Sequence, residues 1–127
     1  MIVLNEKPLS VNQAWKGKRF RTQKYKDWCF RCITKLDSNS ELIGSKYIFY
    51  IDVYYSNSAS DIDNCLKPFF DLLQKKYEMF DDKNVYSLVI NKRICSKGQD
   101  RIEFIATEFK DYITPEQVDI LDRKSVV

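Results

Sequence analysis

Residues 47–77, YIFYIDVYYSNSASDIDNCLKPFFDLLQKKY, contain the stretch on which the fold depends. The first nine residues are almost all aromatic or β-branched, which is typical of a strand buried on at least one face. A loop of small residues follows at Ser56–Ser60. Beyond Asn64, apolar side chains recur every three or four residues as far as Tyr77, which predicts one face of a helix. Because proline is tolerated only in the first turn of a helix, Pro68 requires this helix to begin close to Asn64 or to kink.

Outside this stretch, strand and helix patterns alternate along the chain. Their order predicts an α+β fold in which a mixed β-sheet packs against two main helices in a single compact domain. We interpret residues 112–127 as an accessory C-terminal segment, with a helix start at Thr114-Pro115. The other expected elements are a strand at Ile2–Leu4, a turn at Pro8–Asn12, a helix at Lys24–Leu36, a turn at Asp81–Asn84, a strand through Val85, Leu88 and Ile90, a hairpin turn at Lys97–Asp100 and a last strand at Ile102–Phe109.

The composition restricts the possible chemistry. A chain of 127 residues has about the size of one ordinary domain, and it contains no histidine. Histidine-based acid–base catalysis, Ser-His-Asp triads and histidine-ligated zinc are therefore excluded within this chain. No apolar run reaches the ~20 residues of a membrane helix. Because the N-terminal residues also lack the basic and apolar parts of a secretion signal, we expect a soluble, cytoplasmic protein of a bacterium or a phage-infected host cell.

The four cysteines are too few and too irregularly spaced for a disulfide framework. Cys29 and Cys32 form a CxxC motif, but no second pair completes a zinc site. Both lie in a helical pattern, where cysteine is often a small buried apolar residue. We favour that interpretation over a redox or zinc role.

Positive charge is concentrated near the N-terminus, although the net charge is only +3. No acidic residue occurs between Lys7 and Lys26. Clustered cations of this kind bind phosphate backbones by releasing counterions, but a solvated basic loop would have the same pattern. The candidate nucleic-acid-binding residues are Lys16, Lys18, Arg19, Arg21 and Lys24. The aromatic residues among them, Trp15, Phe20 and Tyr25, either stack against unpaired bases or, more commonly, pack in the core.

Acidic residues cluster between the long strand and the second helix. Asp61 and Asp63 are two residues apart, so in extended chain their side chains point to the same side. Two carboxylates on one side favour a cation between them, and Mg²⁺ suits such hard oxygen ligands. Lys67 follows Asp63 by four residues, and Asp82 returns after the helix. The same residues are also ordinary helix caps and an ordinary surface turn, and from spacing alone we favour that interpretation over a metal site.

Taken in order, these motifs resemble the RusA-type Holliday junction resolvases, a family common in phages and prophages. The family pattern is a first strand, a Pro-x-Ser-x-Asn turn, a basic stretch, a strand leading to Asp-x-Asp-Asn, a lysine three residues later, and a later pair of aspartates. The ordered set within one small domain is more specific than Asp-x-Asp-Asn alone. The resemblance covers residues 2–109. The matching positions here are Pro8-Leu9-Ser10-Val11-Asn12, the cations Lys16 to Arg21, Asp61-x-Asp63-Asn64, Lys67 and Asp81-Asp82.

The resemblance implies a Mg²⁺-dependent endodeoxyribonuclease that resolves Holliday junctions and other branched DNA. It implies that Asp61, Asp63 and Asp82 bind the metal, with Mn²⁺ as a possible substitute, and that Lys67 assists catalysis. Asp71 matches an acidic position of the family, for which we expect a surface or capping role. Members of the family are homodimers that make paired, symmetric nicks and leave 5′-phosphate and 3′-hydroxyl ends.

The sequence departs from the family pattern in the loop before Asp61. Family members often carry arginines there, whereas this chain has Ser56–Ser60. Because this loop has no charge with which to hold phosphate, more of the DNA binding would fall to residues 16–26, or the binding would be weaker. Two other functions stay open. One is a non-catalytic module that binds branched DNA and uses the aspartates as caps, and the other is a small interaction protein without nucleic acid.

Overall fold

The structure, a computed structural model, describes residues 1–16, 20–37, 42 and 45–109. It consists of a mixed four-stranded sheet, a small two-stranded sheet and three α-helices, which confirms the expected α+β class. In chain order the elements are β1 (Ile2–Leu4), α1 (Val11–Ala14), β2 (Trp15–Lys16), β3 (Phe20–Arg21), α2 (Gln23–Lys35), β4 (Tyr47–Tyr55), α3 (Leu66–Lys76), a 3₁₀ helix (Asp82–Asn84), β5 (Val85–Ile94) and β6 (Arg101–Glu108).

The strand order of the main sheet is β1-β6-β4-β5. Strand β4 pairs in parallel with β5 and antiparallel with β6. A parallel pair needs a long crossover, and α3 provides it. The predicted hairpin between the last two strands is therefore wrong. The turn exists, and Gly98 in it has a φ of 87°, but the chain passes the end of β4 there because β5 and β6 lie on opposite sides of that strand.

Strand β4 forms the centre of the molecule, because eight of its nine residues are buried. Its alternate residues from Tyr47 to Tyr55 belong to the same apolar core as residues of α2 and α3. Phe69 of α3 packs edge-on against Phe104 of β6, with ring centroids 5.0 Å apart. Full burial of one such side chain stabilises the fold by about 1.5–3 kcal/mol. The core thus fixes where β4 ends and α3 begins, which is where the acidic motif lies.

Two local predictions were refined by the structure. The expected turn at Pro8–Asn12 continues into α1, whose N-cap Ser10 forms a capping box with Gln13. Pro68 is the third residue of α3, as its tolerance in a first turn requires. Its missing N–H falls among the first four of a helix, which have no partner within the helix in any case.

Several sequence-based expectations lie outside the described residues. These are the roles of Lys18 and Arg19, and the accessory segment 112–127. Among the residues that are described, no helix has the length and apolar character to cross a membrane.

Candidate metal and phosphate site

Asp61 and Asp63 lie in the turn between β4 and α3, and both are exposed. The backbone carbonyl of Asp63 accepts a hydrogen bond from Leu66 N at 3.1 Å, which shapes the turn. The N-cap of α3 is Cys65, and no side chain caps this helix. The capping interpretation is therefore wrong for the carboxylates of Asp61 and Asp63, which are open to solvent.

The aspartate pair after α3 divides into two roles. Asp81 accepts a hydrogen bond from Lys83 N at 3.1 Å and caps the 3₁₀ helix, as the turn interpretation predicted. Asp82 is held differently, because its backbone N–H donates to Gln74 Oε1 of α3 at 2.8 Å. Its own carboxylate lies 3.9 Å from Lys67 Nζ, and about a third of the side chain is exposed. Gln74 thus attaches Asp82 to the helix that carries Lys67.

Lys67 stands between two carboxylates. Its Nζ lies 3.2 Å from Asp71 Oδ1 and 3.9 Å from Asp82 Oδ2, while 54% of its side chain remains exposed. Asp71 is one turn further along α3, so the two side chains share one helix face. The structure therefore brings Lys67 and Asp82 together, as predicted, and adds Asp71 to the group.

Asp71 is buried, with only 4% of its surface exposed, so the predicted surface or capping role is wrong. Its second oxygen, Oδ2, lies 3.1 Å from a guanidinium nitrogen of Arg21, which comes from 50 residues earlier in the chain. A buried carboxylate is costly unless cations and hydrogen bonds compensate it, and Arg21 and Lys67 supply both. In the sequence, the i,i+4 spacing from Lys67 to Asp71 is typical of the first of these two contacts, and no local pattern predicts the contact with Arg21.

The guanidinium of Arg21 lies over two aromatic rings, 4.6 Å from the centroid of Trp15 and 4.4 Å from that of Tyr25. These cation–π contacts fix its direction toward Asp71. The expectation that Tyr25 belongs to the core is confirmed, since it is fully buried. Burial, the first cause, raises the pKa of its hydroxyl well above the usual range. Arg21 connects the N-terminal basic segment to Lys67, and its contact with DNA stays a prediction.

Elsewhere on the basic segment, Lys16 and Lys24 are exposed. Phe20 is 71% exposed, although it is a large apolar side chain. An exposed ring among cations is available for stacking on a base, which stays a prediction.

The donor set suits a hard cation by its chemistry. Asp61, Asp63 and Asp82 offer carboxylate oxygens that solvent reaches. Among residues 1–16, 20–37, 42 and 45–109, no three acidic, cysteine or histidine side chains are gathered closely enough to hold a metal. Mg²⁺ is commonly held by one or two carboxylates together with waters and substrate phosphates, so its binding does not require a ready group of three. The metal site stays a prediction.

The cysteines take no part in this site. Cys29, Cys32 and Cys65 are buried, and all four cysteines of the chain are free. Burial raises the pKa of the Cys32 thiol to about 12 and raises that of Cys29 as well. Thiols with raised pKa values remain protonated and unreactive at neutral pH. The expectation that the CxxC pair is part of the apolar core is confirmed.

The chain was compared with models of known protein families and with curated proteins, and it matched none of them.

Proposed function

We propose that this protein is a Mg²⁺-dependent endonuclease that cuts branched DNA, of the Holliday junction resolvase type. One observation carries the proposal. Lys67, a partly exposed cation near the start of α3, lies beside Asp82. The exposed carboxylates of Asp61 and Asp63 lie in the turn just before the same helix. The order of these residues along the chain resembles that of the RusA-type resolvases, and this resemblance suggests branched DNA as the substrate.

Lys67 is the group that meets the phosphate under attack. Its ammonium is already oriented by Asp71, whose buried carboxylate is in turn fixed by Arg21. A cation that is held in place before the reaction stabilises the charge that develops on phosphate oxygens, because nothing has to reorganise at that moment. The exposed half of the Lys67 side chain leaves it accessible to a DNA strand.

Asp61, Asp63 and Asp82 are the residues that would hold Mg²⁺. When bound, such an ion lowers the pKa of a water molecule and neutralises the leaving oxygen. The carboxylates alone repel a phosphodiester, so we expect DNA to approach this end of the molecule productively only when the charge of the aspartates is balanced. Lys16 and Lys24, with the other cations of residues 16–26, would bind the flanking backbone.

The remaining features of the proposal come from the resemblance. A homodimer would place two such sites on one four-way junction and produce paired, symmetric nicks with ends that a ligase can seal. The protein would act in DNA recombination and repair, with a phage or a bacterium as the source.

The test is cleavage of a synthetic four-way DNA junction by the wild-type protein and by Asp63→Asn. We expect Mg²⁺-dependent nicks from the wild type and their loss in Asp63→Asn, by a factor of about 100 or more. Junction binding should survive or improve in this variant, because one negative charge near the DNA is removed. Glu108→Gln is the matched control, since Glu108 is exposed and pairs with Tyr47, at the end of β4 away from Asp61.

Retained Mg²⁺-dependent nicking by Asp63→Asn would count against the assignment of the site. Binding of the junction without cleavage by the wild type would favour a non-catalytic module with the same fold. Absence of any salt-dependent DNA affinity would favour an interaction protein that does not bind nucleic acid.

A further inference from the structure

A polar cavity of about 310 Å³ opens between the N-terminal segment and the loop that precedes Asp61. It lies next to the candidate site, since its lining reaches Asn64, the residue after Asp63. None of its lining residues is acidic, although two aspartates lie within a few residues of it. The lining residues are Lys7, Pro8, Ser10, Gln13, Tyr55, Asn57, Ala59, Ser60 and Asn64.

The cavity walls offer hydrogen-bond donors and one positive charge. Asn57 Oδ1 accepts bonds from Ala59 N at 2.9 Å and Ser60 N at 3.2 Å, and these bonds do not use the donors of the Asn57 amide nitrogen. Ser10 Oγ accepts from Gln13 N, so its hydroxyl hydrogen remains able to donate. A cavity with amide and hydroxyl donors, one lysine and no carboxylate is suited to an anion.

The walls are also firmly placed relative to each other. The indole N–H of the buried Trp28 donates to the carbonyl of Lys7 at 3.0 Å. Val11 N donates to the carbonyl of Asn64 at 2.7 Å, which ties the N-terminal wall to the turn before α3. On the other wall, Lys92 Nζ holds the carbonyl of Ser58 at 2.7 Å. Hydrogen bonds thus hold the three parts of the cavity wall in place: the N-terminal segment, the loop before Asp61 and the turn before α3.

Lys7 is exposed and lies on the rim that this cavity shares with two neighbouring ones. One neighbour is also lined by two carboxylates, and both have partners: Glu6 pairs with Arg31 and Lys35 at 3.0 and 3.1 Å. Asp100 accepts hydrogen bonds from Ser56 N and Oγ at 3.0 and 3.2 Å. The Ser56–Ser60 loop carries no cation of its own. Lys7 therefore supplies, from the opposite wall, the positive charge that this loop lacks.

We propose that this cavity binds a backbone phosphate of the DNA strand close to the phosphodiester that is cut, with Lys7 as its cation. The inference rests on the proposed nuclease function and adds a phosphate subsite to it. It assigns to Lys7, Asn57 and Ser10 a role in seating the strand, outside the basic segment 16–26. Such a contact orients the DNA but reads no sequence.

The test measures binding of a synthetic four-way junction with Ca²⁺ in place of Mg²⁺, so that the charge of the aspartates is balanced, for the wild type and for Lys7→Gln. We expect Lys7→Gln to weaken binding several-fold and to reduce the slope of log K against log salt by about one, as loss of one phosphate contact requires. Junctions that carry a neutral methylphosphonate at single positions then locate the contact. One position near the cleavage site should weaken wild-type binding and have no further effect on Lys7→Gln.

Lys97→Gln is the control, because Lys97 is exposed, lines the neighbouring cavity but not this one, and its replacement makes the same change in net charge. Its effect should add to that of every methylphosphonate. If the wild type binds the junction while Lys7→Gln keeps the same affinity and salt slope, or if its effect adds to that of every methylphosphonate, the subsite is wrong and the nuclease proposal stands. If the wild type shows no affinity for the junction, both proposals fail.

Discussion

Two buried aspartates, Asp71 on α3 and Asp52 on β4, are surrounded in different ways. Asp52 is 7% exposed and contacts Asn91, its register partner on β5, at 3.2 Å, and Arg93 on the same strand at 3.6 Å. Asp71 contacts Arg21 from the N-terminal segment and the partly exposed Lys67. Asp52 therefore ties neighbouring strands together, whereas Asp71 connects distant segments and ends at a cation that solvent reaches.

This difference separates a buried charge that stabilises the sheet from one that would also serve the proposed function. A buried ion pair is weak evidence for stability, because the cost of desolvation offsets most of the attraction. The contacts of Asp52 with Asn91 and Arg93 join two strands of the sheet. Around Asp71 they orient Lys67 next to Asp82. Removing each carboxylate should thus affect stability in both cases and catalysis in one.

Between the two buried aspartates, the larger expected effect is that of Asp71→Asn on cleavage. We expect kcat to fall by roughly 10- to 100-fold, the range seen when a residue that orients a functional group is removed. If Asp71 acts through Lys67, then Asp71→Asn should have little further effect in a Lys67→Ala background. This double-mutant cycle compares the cleavage rates of the wild type, the two single variants and the double variant at saturating junction and Mg²⁺.

Additive losses in the cycle would mean that Asp71 acts independently of Lys67 and would remove the distinction between the two aspartates. Stability provides the companion measurement. Because Arg21 and Lys67 lose their buried partner, Asp71→Asn should lower the free energy of unfolding by about 2 kcal/mol, as urea denaturation would show.

The second effect is that of Asp52→Asn, which should lower stability but leave cleavage almost unchanged. We expect a loss of about 1 kcal/mol in the free energy of unfolding, because the amide still bonds Asn91 but no longer balances Arg93. The cleavage rate of the folded variant should stay within about twofold of the wild type. A large loss of kcat at unchanged stability would show that the charge of Asp52 is also coupled to the site.

The smallest expected effect is on thiol labelling, which compares buried cysteines with a partly exposed one. Cys29 and Cys32 lie on the buried face of α2, and burial raises the pKa of both thiols. The pKa of Cys95, which follows β5, is raised as well, but this thiol is partly exposed. At pH 8, iodoacetamide should label Cys95 first and the other three only when the chain unfolds. Mass spectrometry of the labelled chain checks the order. Early labelling of Cys29 or Cys32 would show that the core beneath α2 opens readily.

Much of the fold was predictable because its elements carry strong local patterns. The bounds of β4, Tyr47–Tyr55, agree with the aromatic and β-branched run, and α2 follows its helical spacing to within one residue. The sheet order was not predictable in the same way. Residues on both sides of the 97–100 turn have the pattern of a hairpin, and only the position of β4 between β5 and β6 excludes it.

Of the contacts in the candidate site, one was predictable from the sequence. Lys67 and Asp82 were expected to approach each other, and they do. The burial of Asp71 was missed, because an i,i+4 pair of opposite charges is usually a surface feature. Its decisive partner, Arg21, is remote in sequence and is brought in by the packing of Trp15 and Tyr25. Local spacing contains no information about such a contact.

The central claim is that Asp61, Asp63 and Asp82 share one divalent ion. Paramagnetic broadening by Mn²⁺ of assigned backbone amide signals tests it most directly. If the three carboxylates share one ion, amides at the start of α3 and at Asp82 lose intensity together at low Mn²⁺ concentration, and Asp63→Asn abolishes both losses. Broadening spread evenly over exposed acidic residues such as Glu78 and Glu108, or none at Asp82, would contradict it.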